Sequence, residues 1–249
     1  MKEKIYTIPV NEAYETDCEC PLCELERKLE TETIEYSLGA AMMEPDFRIN
    51  SNEKGFCRNH FTKMFESSNK LSLALVLDTH LEEVRKKLDA FKKPASKLAN
   101  QKPQLLKKSD GAKLAEDISE LLSKTQNDCI VCEKINYTMT RYIDVLLYMW
   151  ANDDEFKAKF GASKGMCLKH FDAVCRNLGK SLGKKDADAF LSKLVEKETA
   201  ELSRIQDDIH KFTLKFDYRN KDMPWGTAKN APIKTIEKLS GYIDTQKNP

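Results

Sequence analysis

The chain has little glycine and proline, 9 and 8 among 249 residues. That scarcity excludes collagen-like and low-complexity architectures and leaves room for long uninterrupted helices. Neither sign of charge is in excess, with 41 Lys and Arg against 40 Asp and Glu. There is thus no general electrostatic pull toward nucleic acid or an anionic membrane. No apolar run reaches the roughly 18–20 residues that span a bilayer. The opening residues, Met1-Lys2-Glu3-Lys4-Ile5-Tyr6, lack the apolar stretch of a signal peptide. These absences predict a cytoplasmic address, where thiols stay reduced and serve as metal ligands or redox groups in preference to disulfides. A composition 41% hydrophobic and 33% charged fits a globular protein with a sizeable core.

What is present is a metal-ligand pattern that occurs twice. Cys20-Pro21-Leu22-Cys23 is followed by Cys57-Arg58-Asn59-His60, and Cys129-Ile130-Val131-Cys132 by Cys167-Leu168-Lys169-His170. Six of the 8 cysteines and two of the 4 histidines fall in these frames. A CxxC pair supplies two ligands from one short turn, and a CxxH pair supplies two more. All four pairs are expected at helix starts, where free N–H groups and the helix dipole favour thiolate. Each frame reads as its own Cys3His set, the donor set of closed structural zinc sites. Two zinc ions are therefore expected, with iron–sulfur clusters disfavoured because they mostly take four cysteines. Cys18 reads as a spare beside the site or an alternative ligand, and Cys175 as a core residue.

The two frames sit in related sequence. Aligned on the CxxC pairs, Glu24 matches Glu133, Ile34 matches Ile143, Leu38 matches Leu147 and Phe47 matches Phe156. With one inserted residue, Gly55-Phe56-Cys57 matches Gly165-Met166-Cys167. The spacing suits duplication of a small domain. Apolar residues recur every three or four positions after each CxxHF, with Leu73, Leu77, Leu81, Val84 and Leu88 in one half and Leu191, Leu194, Leu202, Ile205 and Ile209 in the other. Nothing alternates like a strand. The expectation is an all-α protein of two duplicated helical halves, each with a CxxC…CxxH metal site, packed as a helical bundle. Helices are expected over 20–39, 57–67, 71–92, 112–125, 129–151, 167–178, 187–215 and 230–246, with shorter pieces near 44–48 and 153–160. The halves span 1–93 and 113–217, joined by a basic linker at 94–112 and followed by an aromatic loop and helix at 218–249. Met42, Met43, Met149 and Trp150 read as core.

Two segments are not repeated. In Leu75-Val76-Leu77-Asp78-Thr79-His80-Leu81, polar residues interrupt an apolar helix, and buried polar groups must find partners or face a cavity. In Lys215-Phe216-Asp217-Tyr218-Arg219 and on through Trp225, aromatic and charged residues crowd a short irregular stretch. Asp78, His80, Asp217, Tyr218, Arg219 and Trp225 are thus candidates for a ligand or partner site. The competing reading is structural, with an Asp217–Arg219 brace and Trp225 closing the bundle end.

Cys20-Pro21-Leu22-Cys23-Glu24-Leu25-Glu26, Gly55-Phe56-Cys57-Arg58-Asn59-His60-Phe61, Leu73 to Leu81, Gly165-Met166-Cys167-Leu168-Lys169-His170-Phe171 and Lys215 to Thr227 together resemble DUF6062, a bacterial family of uncharacterised proteins found largely in Firmicutes. The resemblance spans nearly the whole chain and implies a cytosolic bacterial protein with all eight ligand positions kept. It implies no activity. No residue is assigned as catalytic, and an enzyme is disfavoured. The preferred function is an interaction or regulatory module with structural zinc and a protein partner. The alternatives are an enzyme or small-ligand binder with its site between the halves, using Asp78, His80 and Asp217–Arg219, and a thiol-based redox or metal sensor. Nucleic acid is a disfavoured partner, because the ligand spacing is unlike that of a DNA-binding finger.

Overall fold

A computed structural model describes residues 4–99 and 110–243. Among these residues there is helix and no strand. The helices are α1 (Thr7–Glu15), α2 (Pro21–Leu38), α3 (Pro45–Lys54), α4 (Arg58–Glu66), α5 (Lys70–Asp89), α6 (Lys92–Ala99), α7 (Asp110–Asn127), α8 (Ile130–Asn152), α9 (Asp154–Ala162), α10 (Leu168–Ser181), α11 (Lys184–Leu214) and α12 (Ala231–Ser240). None of them is long and apolar enough to cross a membrane. The long helices sit where apolar periodicity places them. α1 and α6 lie outside the stretches that periodicity marks as helical. Each carries a proline, but in its first turn, where a missing N–H leaves no gap. α6 makes the start of the expected linker helical, and 100–109 lie outside the described residues.

The chain forms two compact units, Met1–Leu29 with Tyr137–Pro249, and Glu30–Asn136. They do not follow the two sequence halves: the chain passes from the first unit to the second within α2 and returns within α8. In the first unit α11 packs on α10 and α12, and α1 on α9. Its core joins Val10, Leu22, Leu146, Phe156, Phe190 and Leu194, all fully buried. Aromatic rings meet at Tyr14–Phe156 (5.0 Å), Trp150–Phe190 (5.0 Å) and Phe160–Phe190 (5.4 Å), within the range of favourable edge-to-face and tilted pairs. In the second unit α5 packs on α3 and α4 over Met64, Leu73, Val76 and Val131. Met149 and Trp150 belong to the core as expected, whereas Met43 is 87% exposed and Cys175 is exposed. Met43 lies in a short 3-10 turn after α2, so the helical register that would turn it inward has ended.

Candidate metal centres

All four ligand pairs open helices. Cys20 directly precedes Pro21 at the start of α2, and Cys129 precedes Ile130 at the start of α8. Cys57 and Cys167 are the extended N-cap residues of α4 and α10, with nearly equal torsions (φ −70°, ψ 165° and φ −73°, ψ 161°). One helical turn then brings His60 and His170 back beside their cysteines.

The pairs do not combine as the sequence frames suggest. Cys20 and Cys23 meet Cys167 and His170 in the first unit, while Cys129 and Cys132 meet Cys57 and His60 in the second. Each centre therefore takes its CxxC from one sequence half and its CxxH from the other. This corrects the reading of a separate CxxC…CxxH site in each half. Ligand type is written locally, but the partner of each pair is set by which helix starts the tertiary packing brings together.

The geometry within each set is tight. In each, the four ligand atoms lie within 4.8 Å of one another. In the first unit His170 Nδ1 stands 3.4 Å from both Cys20 Sγ and Cys23 Sγ and 3.2 Å from Cys167 Sγ, with Cys23 and Cys167 sulfurs 3.5 Å apart. In the second, His60 Nδ1 lies 3.1 Å from Cys129 Sγ, 3.2 Å from Cys57 Sγ and 3.4 Å from Cys132 Sγ, with Cys57 and Cys132 sulfurs 3.8 Å apart. A tetrahedral ion with bonds of about 2.3 Å to sulfur and about 2.0 Å to nitrogen has edges of about 3.8 Å and 3.5 Å. The observed edges match a single such ion within a few tenths of an ångström. All four residues of the first set are buried, and Cys57 and Cys132 of the second are partly exposed.

The far nitrogen of each histidine meets a carboxylate from α2. Glu30 Oε1 is 3.0 Å from His60 Nε2, and Glu30 Oε2 accepts from Lys63 Nζ at 2.5 Å. Glu26 Oε2 is 3.5 Å from His170 Nε2, and Glu26 Oε1 accepts from Lys169 Nζ at 2.5 Å. With an ion bound, a carboxylate on Nε2 would hold the proton there and leave the Nδ1 lone pair for the metal, the arrangement of carboxylate–histidine–metal triads. Glu26 and Glu30 carried no distinguishing mark in the sequence, being two acids on a helix rich in them.

Protons alone cannot put every ligand in its binding form. Hydrogen bonds from Cys20 and Cys23 hold Cys167 as thiolate, far below the usual thiol range. Burial raises Cys20, and its bond to Cys167 raises Cys23. In the second unit burial raises Cys132. Burial opposes ionisation of Cys129 too, but His60 and the N–H groups of Cys132 and Cys57 bring it down to about 6. Burial likewise opposes a charged His60, and Cys129 and Glu30 outweigh it, raising the ring to about 10. Each set thus has a strongly held thiolate beside thiols that a dication would deprotonate.

The turn before each CxxH is braced the same way. Gly55 and Gly165 have φ of +69° and +73°, in the left-handed region. Under Gly55 lies His80, whose Nδ1 bonds the Asn52 carbonyl at 2.9 Å. Under Gly165 lies Glu198, whose Oε1 accepts the Met166 N–H at 2.7 Å and whose Oε2 is 3.4 Å from Lys238 Nζ. Glu198 and Lys238 are both almost fully buried. His80, a candidate ligand-site residue, thus has a bracing contact. Asp78, two residues before it, is exposed. Thr79 turns to Asn52 (2.6 Å) and Arg48 (2.9 Å).

In the first unit, Asp217 accepts from the Arg219 N–H (2.9 Å) and pairs with its guanidinium, while Tyr218 is 83% exposed. Trp225 rests on Phe212, with centroids 5.5 Å apart. Lys215 Nζ donates to the carbonyls of Asn220, Lys221 and Met223 and so gathers the whole loop.

A cleft of about 310 Å³ opens beside the first centre, lined among others by Cys18, Cys20, Cys23 and Tyr242. The Tyr242 backbone bonds Cys23, closing the end of α12 over the sulfur. Burial pushes the Cys18 thiol up to about 11. No curated protein and no solved structure is similar enough to the chain to match it. The model of one family of unknown function matches residues 1–246. With essentially the whole chain matched, the protein belongs to the DUF6062 family.

Proposed function

We propose that the protein is a helical interaction or regulatory module of the cytoplasm, held in shape by two structural zinc ions. The observation that carries this reading is the pair of Cys3His sets at helix starts, each within 4.8 Å and each with a carboxylate on the outer nitrogen of its histidine. Three sulfurs and one imidazole suit a borderline-soft ion with no geometric demand beyond a tetrahedron. The short ligand separations leave space for one ion and disfavour an iron–sulfur cluster. Four protein ligands complete a tetrahedron, so such an ion staples helices and leaves no position for substrate. An interaction role is supported by α5, which exposes Leu71, Leu75, Leu77 and Leu81 to between 42% and 73%. The matching construction of the two centres supports an origin by duplication. Elemental analysis of purified protein is expected to give two zinc ions per chain, with loss of helical signal under a strong chelator. Protein free of metal, with helicity indifferent to chelation, would sink the proposal.

A second reading, a thiol redox sensor, is favoured by one observation: Cys18 shares an open cleft with ligands Cys20 and Cys23. Peroxide would oxidise two of these thiols to a disulfide, each losing a hydrogen, while the peroxide is reduced to two waters. The expected result is early loss of zinc from the first centre, slowed by Cys18→Ser. Equal loss from both centres, unaffected by that substitution, argues against sensing.

A further inference from the structure

The same cleft carries a charge arrangement that the metal centre does not use. Glu19 is 5% exposed, and its Oε2 accepts from Arg204 at 2.5 Å. Its Oε1 is buried and accepts no hydrogen bond, with Lys234 Nζ at 4.0 Å. Arg204 does not neutralise Glu19 alone, because it also pairs with Glu201 at 2.7 Å and Asp208 at 3.8 Å. Glu24 and Glu237 line the cleft with Glu19. Glu24 is matched by Arg27, while Glu237 has no ion pair among the described residues. Burial raises the Glu237 carboxyl, and the charges of Glu19 and Glu24 raise it further. Asp17 and Lys164, also on the wall, satisfy each other. With Asp17 matched by Lys164 and Glu24 by Arg27, the cleft leaves Glu237 as a carboxylate without a counter-ion, and one buried oxygen of Glu19 lacks the donor that buried acceptors normally have.

We propose that this cleft binds a small organic cation, with a primary ammonium group seated among Glu19, Glu24 and Glu237. An ammonium has three donors and one positive charge, which answers both the vacant acceptor and the excess carboxylate. A metal ion fits less well: among the described residues these carboxylates do not approach one another closely enough to form a ligand set, as the two thiolate centres do. A volume of about 310 Å³ is at the small end for ligand sites and suits a short aliphatic amine. The site is built from side chains that neither centre uses as ligands, so it does not depend on which metal the neighbouring sulfurs hold.

The test is calorimetric titration of the full-length, metal-containing protein with putrescine and spermidine, with butanediol as the uncharged analogue. Both amines should bind at one per chain and butanediol should not. Glu237→Gln and Glu19→Gln should each raise Kd about tenfold or more, the loss of one charge-assisted bond. Glu82→Gln, on α5 in the other unit, should leave Kd unchanged. If Glu19→Gln disturbs folding through Arg204, Glu237→Gln decides, since glutamine keeps its volume and no ion pair is lost. Absence of binding by either amine would overturn the proposal. So would amine binding indifferent to Glu237→Gln, equal binding of butanediol, or magnesium binding in place of the amines. Zinc content, measured on the same samples, separates this outcome from failure of the structural-zinc reading.

Discussion

At Gly165 the backbone φ of +73° disfavours any side chain, and a Cβ would lie 2.3 Å from Glu198 Oε1. Gly165→Ala combines a left-handed penalty of about 1–2 kcal/mol with displacement of a buried carboxylate. The expected loss is more than about 2 kcal/mol by denaturant unfolding, with weakened metal retention at the first centre because Cys167 follows two residues on. Glu198 is the counter-ion of a buried lysine, Lys238. Lys238 is 1% exposed, and a buried ammonium that loses its counter-ion costs about 3–5 kcal/mol. Glu198→Gln should therefore destabilise by roughly that amount, while Glu198→Gln with Lys238→Met should be less damaging than the sum of the two single changes. Additive effects in that double-mutant cycle would show that the pair is not coupled. Away from the backbone, Glu30→Gln leaves every candidate metal ligand in place but removes the carboxylate that orients His60. Competition with a chromogenic chelator should show about 10–100-fold weaker metal binding at the second centre only.

At the scale of elements, α4 and α9 have nine residues each, below the length at which helices are stable alone in water. α9 buries Phe156 and Phe160, whereas α4 buries only His60 and Met64. With a metal bound as proposed, the start of α4 would depend on its ligands more than any other described helix of its length. Hydrogen exchange after chelation should show protection lost first across 57–66 and at the opening turn of α10, while the middle of the 31-residue α11 stays protected. Uniform loss along the whole chain would instead mean that the metals hold a single cooperative unit. The helices themselves were legible because their buried faces repeat at three or four residues, and the helix starts because CxxC and CxxH spacing needs them. α1 was not, since its period is broken by Pro9 and Asn11 and only Val10, Ala13 and Tyr14 turn inward.

For the whole molecule, the eight candidate ligands could be picked out by spacing and their grouping could not. Closure across halves spans longer loops than closure within a half, with Cys23 and Cys167 144 positions apart, but each doubling of loop length costs only about 0.6 kcal/mol of chain entropy, which packing can override. Partner choice is decided by packing, with α2 and α8 each contributing to both compact units. The carboxylates of Glu26 and Glu30 were hidden for the same reason, since their meaning appears only when α10 and α4 arrive beside α2. This grouping has a consequence that sequential pairing does not share. Cys20→Ser with Cys167→Ser removes two candidate ligands of one centre, and the chain should retain one metal ion at the other. Cys20→Ser with Cys57→Ser damages both centres, and retention should fall toward none. Pairing within each half predicts the opposite order, so metal content of the two double variants separates the arrangements without any knowledge of activity. If the ions are structural zinc as proposed, each would be worth about 10 kcal/mol or more, against a total stability of about 5–15 kcal/mol for typical domains. The variant that damages both centres should therefore also lose its helical signal at temperatures where the variant that spares the second centre keeps residual structure.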